Sequence, residues 1–585
     1  MSKTVECDVL VVGSGAGGLS AAVTAAAHGL SVIVAEKAEF VGGTTAYSGG
    51  FLWVPNNPVS RRDGIQDSVE AARTYLRHEA GNHFNADCVE AFLANGPEAV
   101  AFFETRTAVT FEAASAFSDY HPTAPGGRSG GRSIKAQNFR GEALGDELKR
   151  LRPPLPELTF VGLMIGSGPE LKHFFNVTRS LTSALYVGKR LASHARDLLK
   201  SGRGMLLTNG NALAARLFRS ALDLGVDVWT SAPATGLIVE DGAVRGATIG
   251  KDGGTVTVRT RRGVVLAAGG FPQDKARRRA FFPHDRDDNS QVSGGQVSGG
   301  HVSPAPSGNT GDGLRLGEEA GAVVEDRYPN AAAWVPVSRV PRKGGGFGVF
   351  PHFIDRAKPG LIAVLPNGRR FVNEANSYHD FVQALFAAKA RGEAARAFLI
   401  VDKPFLTRFG LGFVKPFPVP VGPNIRSGYL KTGRTVAELA RNAGIDPAGL
   451  EETVAAWNRD VGTGEDKAFG KGSTAYNRFN GDPEFTPNPC LAPIATGPFY
   501  AVEVVVGDLG TFAGLKSDGH SRVLDGQGRP IPGLYAAGND MASIMGGNYP
   551  GGGITLGPAL TFGYIAGRHL AGAAAADAPA RPDAA

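Results

Sequence analysis

The sequence contains few cysteines and no long apolar run. Its 585 residues include only three cysteines, Cys7, Cys88 and Cys490, which are widely spaced and form no CxxC pair. An odd number of isolated cysteines argues against a disulfide framework and against a zinc site, so we predict no bound metal. A membrane-spanning helix needs about 18 or more consecutive apolar residues, and no such run occurs.

Charge of one sign does not dominate either. The 61 basic residues nearly balance the 55 acidic residues, which leaves a formal net charge of +6. Nucleic-acid-binding domains concentrate a larger positive excess, so no nucleic-acid partner is expected. The first residues, MSKTVECDVLVVG, lead straight into an apolar strand, without the separate charged, apolar and cleavage regions of a signal peptide. The sequence therefore favours a cytoplasmic protein.

Glycine is abundant, with 81 residues in a chain that is 42% hydrophobic. A chain of this length and composition buries a large core and divides into two or more domains. The glycines follow no collagen-like period, so we expect many tight turns and close backbone contacts instead.

A glycine-rich turn near the N-terminus joins a strand to a helix. Residues 9 to 12 are apolar and suit a buried parallel strand. Three glycines then complete the pattern GxGxxG, in which they permit the turn, the approach of a pyrophosphate and close helix packing. Glu36 ends the next strand, where a carboxylate accepts hydrogen bonds from ribose hydroxyls. The cofactor-binding residues predicted in this unit are Gly13, Gly15, Ala16, Gly17, Gly18, Glu36 and Lys37.

Small residues elsewhere extend this site for a longer cofactor. The stretch VGGTTAYSGG, residues 41 to 50, follows the acidic residue and allows close backbone approach. Residues 234 to 249 predict a β-hairpin with an Asp-Gly turn. Apolar strands in residues 263 to 271 and 533 to 540 end in glycine. Further predicted cofactor contacts are Gly43, Thr44, Thr45, Ser48, Gly49, Gly50, Ala234, Gly269, Gly538, Asn539, Ile554 and Leu556.

This order of motifs, from residue 6 to about residue 572, resembles the two-dinucleotide-fold flavoproteins of the fumarate reductase/succinate dehydrogenase group. The resemblance implies FAD as the cofactor. Relatives with covalent flavin carry a histidine where Gly43 stands here, so the FAD is expected to be non-covalent.

The resemblance also implies an α/β fold with two domains. A Rossmann-like FAD-binding domain, with a parallel sheet and a β-meander, would comprise residues 1–330 and 500–572. An inserted α+β substrate-capping domain would occupy residues 331–499. Residues 573–585 are rich in alanine and proline, and we predict that they form a disordered tail.

The segment 171–203 combines basic and large apolar residues. This segment contains seven lysines and arginines and a single acidic residue, Asp197. One interpretation is a pair of amphipathic surface helices. The other is peripheral attachment to an anionic membrane, which suits an enzyme that collects a water-insoluble substrate.

The stretch FVNEANSYHD, residues 371 to 380, is informative when it is compared with the fumarate reductases. In those enzymes the motif N-E-x-x-x-R supplies the arginine that protonates the substrate, and Tyr378 takes that place here. A second motif, H-x-T-x-G-G, supplies a histidine that helps to hold a dicarboxylate, and Leu509 takes its place. Because two polar groups needed for a dianion are missing, we predict an apolar, uncharged ketone as substrate.

With tyrosine at this position the chain resembles the 3-ketosteroid Δ1-dehydrogenases. The run FSDY, residues 117 to 120, places a tyrosine where that family has its second active-site tyrosine. The run NYPGGG, residues 548 to 553, matches the closing motif of the family. The resemblance implies four catalytic positions, Tyr120, Tyr378, Tyr549 and Gly553.

The resemblance gives each position a role in removing two hydrogens beside a ketone. The Tyr549 hydroxyl and the Gly553 N–H would stabilise the carbonyl oxygen. Tyr378, assisted by Tyr120, would take a proton from the adjacent carbon, and hydride would pass to the flavin N5. The implied enzyme introduces the Δ1 double bond into ring A of a 3-ketosteroid and passes electrons to a quinone-like acceptor.

Three other functions stay open from the sequence. A 3-keto-5α-steroid Δ4-dehydrogenase shares the fold and an active-site tyrosine. A fumarate reductase-like reductase of an enone or enoate is disfavoured by Leu509 and Tyr378. An electron-carrying flavoprotein without catalysis is the third. Insertions at about 140 to 205 and 285 to 305 would reshape the pocket mouth, and they would admit a steroid with its side chain or another bulky ketone.

Overall fold

The computed structural model describes residues 3–286, 292–293, 296–297 and 300–573. Its first sheet has eight strands and contains the predicted nucleotide unit. The N-terminal strand pairs in parallel with a neighbouring strand on each side. Each of these neighbours pairs in parallel with one further strand. From one edge to the other, the main path runs through Arg522–Leu524, Pro530–Ala536, Gly254–Leu266, Lys3–Val12, Val32–Ala35 and Asp227–Trp229.

The remaining two strands of this sheet form the predicted meander. Ala234–Glu240 pairs antiparallel with Ala243–Lys251, which pairs antiparallel with Gly254–Leu266. The Asp-Gly turn between the first two strands has positive φ at both residues, as such a hairpin turn requires. The α/β class with a parallel sheet and a β-meander is confirmed.

Two helices cover one face of this sheet and lie unusually close together. They are Ala16–Ala27, which follows the glycine turn, and Leu556–Ala571 near the end of the chain. A Cβ at Gly563 would lie 2.4 Å from the carbonyl oxygen of Gly17, so this approach requires glycine. The packing brings the closing motif of the chain next to the glycine turn.

The second sheet is antiparallel and has six strands. Its central strand, Phe499–Thr511, pairs with three others in the sheet. The strands are Phe347–Pro351, Ala332–Pro341, Phe499–Thr511, Arg396–Val401 and Leu361–Val364, with Lys431–Gly433 also paired to the central strand. The predicted domain division at residue 500 assigns this central strand to the FAD-binding domain, whereas its hydrogen bonds join it to the inserted segment. The division itself stays a prediction.

The longer helices surround the two sheets. They are Val69–Ala80, Ala86–Arg106, Leu181–Ser201, Asn209–Asp223, Tyr378–Ala390 and Pro447–Thr463, and shorter ones include Pro169–Phe175, Asp312–Glu319 and Ala475–Asn480. In the described part of the chain, none of the helices has the length and apolar character needed to span a membrane. The predicted tail lies outside the described residues apart from Ala573.

Candidate active site

A cavity of about 1260 Å³ joins the predicted nucleotide site to the predicted catalytic residues. All four predicted catalytic residues line it, as does Leu509. The predicted cofactor residues that line it are Gly13, Gly15, Ala16, Gly17, Glu36, Lys37, Gly43, Thr44, Thr45, Ser48, Gly49, Gly50, Ala234, Gly269, Gly538, Asn539 and Leu556. Gly18 lies beneath the turn instead, and Ile554 lines a small neighbouring cavity.

The glycine turn shows a fit to a bound pyrophosphate. A Cβ at Gly13 would lie 2.2 Å from the Ala267 carbonyl oxygen, and a Cβ at Gly18 would lie 2.1 Å from that of Gly13. The fold itself therefore requires both glycines. Gly15 differs, because its φ is −72° and the nearest atom to an added Cβ is the Thr45 Oγ1 at 3.7 Å. Among the described residues no other atom beyond the chain neighbours comes within 4 Å of that Cβ, so the protein itself does not require glycine there and a ligand accounts for it.

Glu36 also keeps capacity for a ligand. Its Oε2 accepts hydrogen bonds from the N–H and the Oγ of Ser14, at 3.0 and 2.5 Å, and its Oε1 accepts one from the Ala38 N–H at 2.8 Å. A carboxylate has about four lone-pair sites. The remaining site on Oε1 is available for a ribose hydroxyl.

Lys37 and Asn309 tie the nucleotide strand to a distant loop. The Lys37 ammonium donates to the Thr310 Oγ1 and pairs with the Asp312 carboxylate, both at 2.7 Å. The Asn309 amide donates to the Thr44 Oγ1 at 2.9 Å and to the Gly269 carbonyl oxygen at 3.1 Å. This loop and its helix therefore fix the wall of the nucleotide site.

The three predicted tyrosines come together although they are far apart in sequence. The hydroxyls of Tyr120 and Tyr378 are 3.0 Å apart and hydrogen-bonded. The Tyr549 ring centroid lies 5.5 Å from that of Tyr120 and 5.0 Å from that of Tyr378. A main-chain hydrogen bond of 2.9 Å from Tyr120 to Pro550 fixes two of the three segments to each other. The cluster lies in the cavity that contains the nucleotide residues.

A fourth tyrosine, Tyr476, belongs to the same cluster. Its ring centroid lies 4.6 Å from that of Tyr120, and its side chain lines the cavity. No motif in the sequence marks this residue. It comes from the short helix Ala475–Asn480, and only the fold brings that helix to the other tyrosines.

Burial controls the ionisation of these phenols. It raises the pKa of Tyr378 well above its ordinary value, and neighbouring Tyr120 and Tyr549 act in the same direction. It also raises the pKa of Tyr120 well above its ordinary value and that of Tyr549 to about 12. The cluster is therefore neutral near pH 7. The neighbours Tyr120 and Tyr549 both raise the pKa of Tyr378, so the residue is a neutral phenol and not a phenolate near pH 7 before a substrate binds.

Gly553 offers a main-chain donor in the cavity that the tyrosines line. Its φ is +101°, and an added Cβ would lie 2.6 Å from the Phe51 carbonyl group, so this position requires glycine. Its carbonyl oxygen accepts from the N–H groups of Trp53 and Gly557. Within the described ranges, no acceptor takes the Gly553 N–H, which leaves it available to a ligand oxygen.

The Asn-Glu pair before Tyr378 has a structural role. Glu374 is fully buried, and its carboxylate pairs with the Arg370 guanidinium at 2.8 Å and accepts the Ala363 N–H at 3.0 Å. Arg370 also pairs with Asp466 at 2.8 Å. Four residues later along the chain, Tyr378 starts its helix. The buried ion network therefore fixes the backbone from which Tyr378 projects.

This fold and cavity define an FAD-dependent oxidoreductase. Residues 8–556 match the family described as FAD binding domain. The chain belongs to this family, and FAD is its cofactor.

Relatives that align with nearly the whole chain narrow the class of oxidoreductase. The chain is 43% identical to a 4-oxocyclohex-2-ene-1-carboxylate 5-dehydrogenase of Sinomonas cyclohexanicum, with 98% of this chain and 95% of the relative covered. It is 36% identical to a 3-oxosteroid 1-dehydrogenase of Mycolicibacterium smegmatis, with 98% of both chains covered. The protein is therefore similar to FAD-dependent dehydrogenases of the 3-oxosteroid dehydrogenase/fumarate reductase family.

A solved structure agrees with this placement. The 3-ketosteroid delta1-dehydrogenase from Sterolibacterium denitrificans, in complex with 1,4-androstadiene-3,17-dione, superposes with a TM-score of 0.87 at 36% identity. The match covers 97% of this chain and 100% of that structure. The predicted resemblance is confirmed at the level of the family and the fold.

The substitution Gly15→Ala tests the assignment of the glycine turn to the cofactor. The methyl group has room in the apoprotein, so the thermal unfolding temperature without FAD should not change. It occupies space that the ligand needs, and such crowding costs about 1–3 kcal/mol. We expect FAD binding to weaken about tenfold or more, measured by titrating apoprotein and following flavin fluorescence.

Gly18→Ala is the matched control. Its methyl group would meet the Gly13 carbonyl oxygen, so it should destabilise the apoprotein itself. Unchanged FAD affinity in the Gly15→Ala protein would contradict the assignment.

The substitution Glu374→Gln tests the role of the buried ion network. Removing one charge leaves Arg370 and nearby Lys471 less compensated, and breaking a buried pair costs about 3–5 kcal/mol. We expect a clearly lower unfolding free energy in urea. The exposed pair Arg369–Glu452 supplies the control, since its side chains are 55% and 63% exposed, and Glu452→Gln should change stability little. Equal stability of the two variants would refute the structural role.

Proposed function

We propose that the protein introduces a carbon–carbon double bond beside the carbonyl of a six-membered ring ketone, with ring A of a 3-ketosteroid as the first candidate and Δ1 as the position. One arrangement supports this most strongly. Tyr378, hydrogen-bonded to Tyr120, lies beside Tyr549. Gly553, whose N–H has no acceptor among the described residues, lines the same cavity, as do the nucleotide residues. These groups are the ones that ketone dehydrogenation requires.

The reaction begins with the carbonyl oxygen. The Tyr549 hydroxyl and the Gly553 N–H are donors that stabilise negative charge as it develops on that oxygen. Tyr378, once ionised, takes the proton from the neighbouring carbon and becomes a neutral phenol, and Tyr120, 3.0 Å from it, stabilises the phenolate by a hydrogen bond before that transfer. When bound, FAD supplies the two-electron acceptor for the hydride.

The high pKa of Tyr378 sets a condition on this mechanism. A phenol that is neutral at pH 7 must first lose its own proton to water before it can take one from carbon. The two donors at the carbonyl oxygen reduce this difficulty, because they acidify the carbon–hydrogen bond beside the ketone. Proton removal is therefore coupled to binding of the carbonyl.

A smaller keto acid is the second candidate substrate. The relative that is 43% identical over nearly the full chain is a 4-oxocyclohex-2-ene-1-carboxylate 5-dehydrogenase, and its substrate carries one ring ketone and one carboxylate. Several cations line the cavity of this chain, including Lys172, Lys358 and Arg478. They favour a substrate with a negative charge away from the ketone.

The rival reactions differ in features of the cavity and in product. Leu509 and Tyr378 line the cavity where a dicarboxylate reductase would place a histidine and an arginine, which argues against fumarate-type reduction. A Δ4-dehydrogenase would use the same tyrosine, and its enone product differs spectrally from a ring-A dienone.

We also propose that the helix Leu181–Ser201 attaches to an anionic membrane and that the electron acceptor is a quinone. Leu181, Leu185 and Leu199 are 77%, 67% and 90% exposed on this helix. Three cations beside them, Lys189, Arg196 and Lys200, are also exposed. The preceding helix, Pro169–Phe175, lines the cavity through Leu171, Lys172 and Phe175. Membrane attachment would therefore bring the cavity mouth close to lipid-soluble molecules.

Anaerobic flavin bleaching tests the reaction. We expect androst-4-ene-3,17-dione or 4-oxocyclohexanecarboxylate to reduce the bound FAD. With the steroid, a new ring-A dienone spectrum indicates Δ1 dehydrogenation. A 5α-3-ketosteroid that yields a simple enone would indicate Δ4 dehydrogenation instead. Bleaching by none of these ketones, together with rapid oxidation of reduced enzyme by fumarate, would contradict the proposal.

Tyrosine variants test the assigned roles. Tyr378→Phe should retain the FAD spectrum and reduce the bleaching rate about 10²- to 10⁴-fold, since it removes the base. Tyr549→Phe should reduce it about 10²- to 10³-fold, since it removes one donor to the carbonyl oxygen. Because burial holds the pKa of Tyr378 high, the wild-type rate should rise with pH across the alkaline range, and Tyr378→Phe should lose that rise. Near-normal rates in either variant would remove that residue from the mechanism.

Co-sedimentation with anionic vesicles tests membrane attachment. The double substitution Leu185→Asp and Leu199→Asp places charge on the exposed apolar face and should abolish recovery with the vesicles. Val239, which is 47% exposed on the meander, gives the control Val239→Asp. Equal recovery of all three proteins would end the membrane proposal.

A further inference from the structure

Lys358 is a partly buried lysine on the cavity wall. Its ammonium donates to the carbonyl oxygens of Asn480 and Gly481, at 2.7 and 2.8 Å. An ammonium has three donors, so one is left over. Across the described ranges, no carboxylate lies within ion-pair distance of this ammonium.

Asp482 does not neutralise Lys358. Asp482 favours its charged form from a distance, but that carboxylate forms an ion pair with Arg408. Burial lowers the pKa of Lys358 to about 8, and the cations Lys172 and Arg408 act in the same direction. The lysine therefore stays largely charged at pH 7; the centroid of the Phe175 ring lies 5.8 Å from its ammonium, and no carboxylate of the described residues pairs with it.

A second lysine, Lys471, has a carboxylate close enough to compensate its charge. Lys471 also has its pKa lowered to about 8 by burial, and it also donates to a main-chain oxygen, that of Leu361 at 2.6 Å. Its ammonium lies 4.0 Å from the Glu374 carboxylate, and it does not line the cavity. Of these two lysines, the one without an acid is the one that faces the ligand space.

The fold places Lys358 near the tyrosines. Its two carbonyl partners end the helix Ala475–Asn480, which carries Tyr476 one turn earlier. A helical turn advances about 5.4 Å, and the Tyr476 ring lies 4.6 Å from that of Tyr120. The ammonium therefore lies within a small molecule's length of the catalytic cluster.

The acidic side chains that line the cavity each contact a partner other than Lys358. Two further cations, Lys172 and Arg478, line the cavity together with Lys358. These acids are Glu36 with Ser14, Asp63 with Ser115, Glu112 with Lys135, and Asp312 with Lys37. The wall around Lys358 is thus positive and suits an anion.

We propose that Lys358 binds a carboxylate carried by the ring-ketone substrate, at the end of the molecule opposite the carbonyl that Tyr549 and Gly553 hold. This inference rests on the proposed function and names the substrate class of the same cavity. The shared chemistry is a keto acid, and two kinds of molecule carry it. One is a monocyclic oxocyclohexanecarboxylate, and the other is a 3-ketosteroid with an acidic side chain.

Three variants of the holoenzyme separate charge recognition from packing. Lys358→Gln removes the charge and keeps a donor for the carbonyl oxygens, and Lys358→Arg restores a cation. Lys471→Gln is the matched control, because it removes a lysine whose pKa is lowered by burial to the same extent but which does not line the cavity. Absorbance of bound FAD and thermal unfolding report whether each variant is folded.

Each variant is tested with acid and neutral partners of one skeleton. The pairs are 4-oxocyclohexanecarboxylate with its carboxamide, and 3-oxochol-4-en-24-oate with its carboxamide. A hydrogen bond to a charged group contributes about 1.5–3 kcal/mol, so Lys358→Gln should lower kcat/KM for the preferred acid about 10- to 100-fold. The carboxamide should change by less than about twofold, Lys358→Arg should recover most of the loss, and Lys471→Gln should leave the acid-to-amide ratio unchanged. The skeleton that shows the effect identifies the source of the carboxylate.

Binding without turnover makes the inference independent of rate. In the Tyr378→Phe background, the perturbation of the flavin spectrum gives the Kd of acid and amide, and Lys358→Gln should weaken only the acid. A wild-type enzyme that reduces its flavin with neutral ketones and shows no preference for either acid would overturn the carboxylate site alone. Equal losses for acid and amide would assign Lys358 to packing and would also overturn it. Flavin that no ketone reduces would overturn the proposed function instead.

Discussion

The candidate site depends on one hydrogen bond between two buried phenols, those of Tyr120 and Tyr378. A bond of 3.0 Å between side chains that are 258 positions apart requires both backbones to be held firmly. Each tyrosine follows a buried carboxylate that does this. Asp119, next to Tyr120, accepts from the Trp53 indole at 2.8 Å and pairs with the Arg132 guanidinium at 2.9 Å.

Glu374 has the corresponding function for Tyr378. Buried ion pairs contribute little net stability, because the cost of desolvation offsets the attraction between the charges. Their directional contacts still fix a backbone position, and here one such network includes the residue before Tyr120 and the other a residue four positions before Tyr378. The polar chemistry of the site is thus supported by charges that never contact the substrate.

The sequence was sufficient to predict the parts of the site that neighbouring residues form. It was insufficient to predict the parts that depend on contacts between distant segments. The glycine turn and Glu36 are predictable because strand, turn, helix and acid follow each other directly along the chain. Tyr476 and Lys358 were missed, since neither lies in a motif and each reaches the cavity through a loop or short helix of the inserted segment. The predicted boundary at residue 500 falls within a strand, because pairing across a sheet cannot be seen from neighbouring residues.

The absence of the reductase histidine and arginine led to the expectation of an uncharged substrate. The residues that line the cavity limit that expectation to one end of the substrate. Those two groups would act on the part of a substrate that lies beside the flavin, where Leu509 and Tyr378 now form an apolar, phenolic wall. Their loss excludes charge only at that end. Lys358 contacts the C-terminal end of the helix whose first turn carries Tyr476. At that end its charge does not disturb the phenols, and an anion bound there does not have to enter the apolar wall. A neutral carbonyl end and a charged remote end are therefore compatible in one cavity. Binding energy from the remote carboxylate is then available to position the ketone against Tyr549 and Gly553, where the reaction needs it.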